Sequence, residues 1–339
     1  MKKLLLFLVS FFIGLVLFFW VSATVGWTEI KNSFLVFTGW QGLVILSLSF
    51  LSAIIGAWKW QEVLRETGGR LKFREVWRIY LASFAIRFLA PIVIMGAEIF
   101  QGYVLKKKNN ISWSGGMAAV IIDRILECTT NLVVIFFGGV VLFIKIGWPS
   151  PKLALAFAGL FFLLLFGLLF FYFKVFRKES LVKTFIRLFN QKVSLQPLEI
   201  ESDIFNFFKL TKKKIIAKVL ALNFLRAGVM LLRVWFLVYF LQGGISIFSA
   251  LTLLGFSYLA VMLPIPMSLG LHEVIQTFAF NSLGLGVASA TAFTMIIRGA
   301  ELIVAILGVA AFFRLGLLLL KKMFFDKISH LTSNRNAWN

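Results

Sequence analysis

Residues 262–278 read MLPIPMSLGLHEVIQTF. The chain on either side is apolar enough for membrane helices, yet Pro264, Pro266, Gly270, His272 and Glu273 crowd into this short stretch. Proline has no N–H and pushes the residue before it out of the helical region, so a helix stops at such a step. A broken backbone persists at membrane depth only where it is buried in protein or lines a wet cavity. The stretch therefore predicts half of a polar pocket inside an apolar bundle.

Composition fixes the surroundings of that break. The chain is 60% hydrophobic, carries 40 Phe and only 14% charged residues, and has a mean hydropathy of +0.94. Apolar runs of about 20 residues recur along it, the pattern of an all-α polytopic membrane protein. In 339 residues no polar segment is long enough for a separate soluble catalytic domain. The lone Cys128 excludes an intramolecular disulfide. The run Leu4 to Val21 is longer than a signal-peptide core of about 7–15 residues, so it is expected to remain as a first helix. A net charge of +21 in a soluble protein would suggest nucleic acid. Here the basic residues fit cytoplasmic loops against an anionic lipid surface, and no nucleic-acid partner is expected.

The charges also orient the chain. Spans are expected at 4–25, 36–58, 112–146, 153–173, 215–241 and 286–318, with two broken apolar segments at 76–105 and 246–283. Residues 59–78, rich in Lys and Arg, and the KKKNN run at 106–110 both belong inside, so 76–105 must enter and return. Its break falls at Pro91. Residues 174–214 form a basic cytoplasmic loop, in which SLVKTFIRLF has the amphipathic period of a surface helix. The second broken segment, 246–283, dips in from the opposite side, and a tail at 319–339 ends inside. On this plan 27 of the 35 Lys and Arg lie inside, three outside and five in the membrane. The expectation is one transmembrane domain of six full helices and two re-entrant hairpins, with both termini cytoplasmic, in the cell membrane of a prokaryote.

The two broken segments repeat one another. Pro91 precedes Glu98 by seven residues and Pro266 precedes Glu273 by seven, with Gly96 and Gly270 between. Arg124 and Glu127 then follow the first glutamate, and Arg298 and Glu301 follow the second, at an Arg-x-x-Glu spacing in both. Segments 36–148 and 215–318 are thus expected to be inverted copies, an arrangement of secondary transporters whose broken helices mark the binding site.

RFLAPIVIMGAEIFQGYVLKKKNNISWSGGMAAVIIDRILE (87–127) resembles the first signature of the lysylphosphatidylglycerol synthase transmembrane region, or flippase-like domain, family. LPIPMSLGLHE (263–273) resembles its second, and WKWQEVLRETGG (58–69) its Arg-Trp-x-x-Leu-Leu loop. Ala97, Gln101 and Ser268 depart from the family pattern, which usually has Gly, Arg and Gly there. The appended aminoacyltransferase domain of some members is absent from these residues. The resemblance implies movement of a lipid between leaflets, either an anionic or aminoacylated phospholipid or a polyprenyl-linked lipid.

Ten charged side chains fall in the membrane on this topology: Arg87, Arg124, Arg226, Arg233, Arg298, Glu98, Asp123, Glu127, Glu273 and Glu301. Each costs about 2.5–3.5 kcal/mol on insertion scales, so each must pair or face water. Arg124 with Glu127 and Arg298 with Glu301 are within reach at i,i+3, either as structural pairs or as ligand contacts. Arg226 and Arg233, seven apart on one helix face, have no acid near them in sequence. They suit a lipid phosphate or a distant carboxylate. Half-helices starting after Pro91 and Pro266 would point positive dipole ends at the midplane. Glu98, Arg124, Arg226, Arg233, Glu273 and Arg298 are the expected substrate contacts, supported by Arg87, Gly96, Gly270, Asp123, Glu127, His272, Glu301 and the three prolines. No catalytic residue, cofactor or metal is expected, and the sequence leaves room for a homo-oligomer. The alternatives are a membrane enzyme acting on lipid headgroups and a non-transporting scaffold.

Overall fold

The computed structural model describes residues 39–89, 95–147, 151–177, 179–183, 195–262 and 268–336. The expected first span 4–25, the outer loop 26–35, Pro91, Pro264, Pro266 and most of SLVKTFIRLF lie outside them. Among the described residues the chain is helical and has no strand. In order the helices are α1 (Trp40–Glu66), α2 (Phe73–Leu89), α3 (Gly96–Asn109), α4 (Trp113–Ile146), α5 (Pro151–Arg177), α6 (Leu195–Leu210), α7 (Lys213–Gln242), α8 (Ile247–Met262), α9 (Ser268–Ser282) and α10 (Val287–Asn336).

Five of these are long and apolar enough to cross a membrane: α1, α4, Phe157–Arg177 of α5, α7 and Val287–Gly316 of α10. Helix α5 shows why lipid must surround them. Its Leu155, Phe162, Leu163 and Phe166 are 75%, 63%, 67% and 68% exposed, an apolar stripe that none of the other described residues covers. By contrast α2, α3, α8 and α9 have 17, 14, 16 and 15 residues, short of the roughly 20 a full crossing needs.

Local chemistry sets the ends. The KKKNN run puts three lysines in the last turn of α3, where cations oppose the helix dipole. Asn110 then turns left-handed at φ 55°, a conformation Asn tolerates, and ends the helix. Ser112 starts α4 by accepting a hydrogen bond from the Gly115 N–H at 3.1 Å.

Packing follows a swapped scheme. Helices α1, α2 and α4 begin at 40, 73 and 113, and α7, α8 and α10 begin at 213, 247 and 287. The short helix α2 packs along α10, while α8 packs along α4 and α1 runs against α7. The first short helix of each half therefore rests on the long helix of the other half, while α3 and α9 pack on the long helix of their own. Glycines permit this contact: a Cβ on Gly138 of α4 would stand 2.9 Å from the Leu251 carbonyl oxygen and 3.3 Å from the Cα of Gly255 on α8. Thr252 reinforces the contact by donating to the Gly138 carbonyl at 3.0 Å. Small residues let membrane helices approach in this way when no hydrophobic effect drives them together.

The described parts of the segment expected as a loop at 174–214 are mostly helical. Helix α5 continues to Arg177, and α6 packs onto α4 and α5 with Ile204 and Phe207 buried. The Glu201 carboxylate accepts the backbone N–H of Leu181 at 2.5 Å and of Val182 at 3.2 Å, fastening the chain after α5 onto α6. Nearby, the hydrogen bond from Lys174 at 2.6 Å holds the Glu179 carboxyl below the usual carboxylate range. Helix α10 likewise runs past the expected end of the last span, to Asn336.

Candidate functional site

Two ion pairs join the short helices to the long ones. Glu98 sits in the first turn of α3, where helix N–H groups favour a carboxylate, and its Oε1 lies 3.5 Å from Arg124 Nε of α4. In the other half Glu273 Oε1 of α9 lies 3.1 Å from an Arg298 guanidinium nitrogen of α10. Gly96 opens α3, and Gly270 lies in the first turn of α9.

Around Glu127 the pairs condense into a hub. Its carboxylate takes Arg124 at 2.7 Å, Arg226 of α7 at 2.5 Å and Lys59 of α1 at 3.4 Å. Lys59 is completely buried; it also donates to Asn223 Oδ1 at 2.9 Å and stands 3.2 Å from Asp123 Oδ1. That last oxygen is off the hydrogen-bonding direction, so the Lys59–Asp123 attraction is purely Coulombic. The sequence reading ended the span at 58 and began the basic loop at Lys59; the structure instead places Lys59 inside α1, fully buried. Helix α1 continues through it to Glu66, and this sets its ammonium between Asp123 and Glu127.

The second half is built alike but emptier. Arg233 of α7 donates to Glu301 Oε1 at 3.3 Å and to Ser49 Oγ at 3.2 Å, and its Nε is buried without a partner. Arg226 donates through its own Nε to Ser52 Oγ at 3.3 Å. These side chains and Tyr80 border a small recess between α1, α2, α7 and α10. The Tyr80 hydroxyl occupies the space over Gly56, where any Cβ would collide with it.

The expected residues thus converge, with altered partners. The Arg124–Glu127 pair forms as spacing suggested. Arg298 instead reaches Glu273, and Glu301 is held by Arg233. Arg226 and Arg233, acid-free in sequence, both end on carboxylates from other helices, so the distant pairing is realised. Arg87 makes no ion pair among the described residues and buries an unpartnered Nε. His272 is half-buried one residue before Glu273.

Sequence reasoning missed Lys59, Asn223, Ser49 and Ser52. One signal was available: Lys59 precedes Glu127 by 68 positions, as Arg233 precedes Glu301 by 68. A second was the Glu-x-x-Gln shared by both short helices, whose Gln101 and Gln276 are 3% and 2% exposed.

A multi-pass helical membrane protein with a charged layer enclosed between two similar halves is the class these features define. The profile of the lysylphosphatidylglycerol synthase transmembrane region matches residues 7–308, and the chain belongs to that family. It is also 24% identical over 315 residues to a UPF0104 membrane protein of Pyrococcus horikoshii, covering 88% of this chain and 92% of that one. No solved structure matches the chain.

Proposed function

We propose that the protein is a lipid transporter of the flippase type, not an enzyme. It would pass an anionic or aminoacylated phospholipid, or a polyprenyl-linked lipid, between the leaflets of the cell membrane. The observation that carries this reading is the paired architecture. Each half places a glutamate of a short helix on an arginine of a long one, Glu98 on Arg124 and Glu273 on Arg298. The short helices then act as re-entrant hairpins from opposite faces. Basic residues flank α2 and α3 at their outer ends, whereas the outer ends of α8 and α9 carry none. Swapped packing of α2 on α10 and α8 on α4 supports an inverted repeat, which rocks about a central site in transporters of this design.

The test is reconstitution. Purified protein in vesicles should move fluorescent or aminoacylated phosphatidylglycerol between leaflets. Glu98→Gln, Glu273→Gln and Arg298→Ala should each stop it while the protein stays folded. Wild-type rates in all three variants would refute the reading, and turnover of a lipid phosphate without movement would replace it with an enzyme.

A further inference from the structure

The halves can be aligned residue by residue, and their differences are informative. Ser49 and Asn223, Ser52 and Arg226, Lys59 and Arg233, Arg124 and Arg298, and Glu127 and Glu301 are all separated by 174 positions. The alignment matches contacts as well as numbers. Lys59 pairs with Glu127 and donates to Asn223; Arg233 pairs with Glu301 and donates to Ser49. In the first half, however, the space beside the pair is filled by two large side chains from α7, Asn223 and Arg226. In the second half the matching positions on α1 are serines. The recess lies there.

We propose that this recess is a binding site for a phosphate or phosphate-ester anion, confined by these substitutions to the side of the charged layer around Arg233 and Glu301. Its polar border holds Arg226, bonded to Glu127, and Arg233, bonded to Glu301, together with the hydroxyls of Ser49, Ser52 and Tyr80. Arg233 is only 6% exposed, yet its Nε has no acceptor, a buried donor left unsatisfied. An oxyanion in the recess would accept that N–H, and the planar guanidinium presents phosphate with two parallel donors where an ammonium offers a point charge. This explains why the second half carries Arg where the first carries Lys. Lys59 sits in a filled hub with two fixed acids, whereas Arg233 borders open space. Phe84 and Val304 give the recess an apolar side suited to the ester carbon of a diester. The inference deepens the transport reading by naming the chemistry the chamber grips, but binding does not itself require transport.

Binding is measured on the full-length protein in detergent by thermal protection and native mass spectrometry. Three probes separate the sources of the anion: inorganic phosphate, dioleoyl phosphatidylglycerol, and dioleoylglycerol, which has the same chains without phosphate. Protection by phosphatidylglycerol but not dioleoylglycerol supports a lipid phosphate, and protection by inorganic phosphate alone supports a free anion. Two variants locate the site. Arg233→Gln removes the donor; Ala53→Leu fills the recess without changing charge, and remains informative if the first misfolds. Each should weaken binding of the protective probe at least 10-fold. No protection by either phosphate probe, or an unchanged affinity in Ala53→Leu, would overturn the proposal. Loss of transport with binding intact would instead count against the flippase reading alone.

Discussion

Replacing Lys59 by Met tests whether the hub is a structural lock. The ammonium lies 3.2 Å from Asp123 and 3.4 Å from Glu127, with no solvent exposure. At an effective dielectric near 20 each contact is worth on the order of 5 kcal/mol before desolvation. Most of that is offset by burying the charges, so the net value of the pair is small. Breaking it from one side is different. Lys59→Met leaves Asp123 facing Glu127 with no cation of its own among the described residues, and such an orphaned charge costs about 3–5 kcal/mol. Lys59→Met with Asp123→Leu removes both charges and keeps Glu127 on Arg124 and Arg226. The double variant should lie within about 1 kcal/mol of the native protein. Steric trapping in bicelles, which reads unfolding free energy without leaving the bilayer, measures both. A neutral hydrogen bond between membrane helices averages only about 0.6 kcal/mol, so a loss above about 2 identifies charge as its origin. Equal stabilities for the single and double variants would refute the lock.

The same assay addresses other contacts. Gly138→Ala drives a methyl against the Leu251 carbonyl and Gly255 and should cost about 1–3 kcal/mol, whereas Gly159→Ala, with no atom within 4 Å, should be nearly neutral. Glu201→Ala strands the Leu181 and Val182 N–H groups, and hydrogen exchange at 181–183 should rise at least tenfold, matching a loss of about 1–3 kcal/mol. Gly56→Ala pushes the Tyr80 hydroxyl into the recess; lipid movement in vesicles should fall while the unfolding free energy shifts by less than that of Gly138→Ala.

Much of this was legible in the sequence because the membrane imposes harsh rules on it. Prolines, glycines and charges stand out against an apolar background, so the Arg-x-x-Glu motifs drew attention to α4 and α10, where Arg124 pairs with Glu127 and Arg298 with Glu273. Partner choice was less legible. A spacing of three places Arg298 and Glu301 near one another, but it cannot show that Glu273 reaches Arg298 from another helix. Lys59 was read as a loop residue for a related reason. Charge counting treats a lysine at the end of an apolar run as a loop residue, and only α1 continuing to Glu66, with Asp123 and Glu127 opposite, reveals it as buried. The order in α6 was hidden in the same way, since its apolar face becomes meaningful only once α4 and α5 are beside it.

The charge balance of the layer constrains what it can bind. With Lys59 counted, six cations (Lys59, Arg87, Arg124, Arg226, Arg233 and Arg298) face five carboxylates (Glu98, Asp123, Glu127, Glu273 and Glu301). An internal layer so nearly neutral can be inserted into a bilayer, because most of its charges cancel in pairs. It also leaves little room for a cationic guest, which would raise the surplus. An anion lowers it, and meets the least resistance where a donor is already unsatisfied. Two guanidinium Nε groups meet that condition, those of Arg87 and Arg233. Only Arg233 borders the recess. A lipid whose headgroup carries both charges would therefore be gripped by its phosphate at Arg233, with its amino group left to a carboxylate such as Glu301. That orientation predicts that Glu301→Gln discriminates against an aminoacylated phosphatidylglycerol more than against phosphatidylglycerol itself. Competition between the two lipids in the native mass-spectrometry assay measures this, and equal effects on both would place the amino group elsewhere.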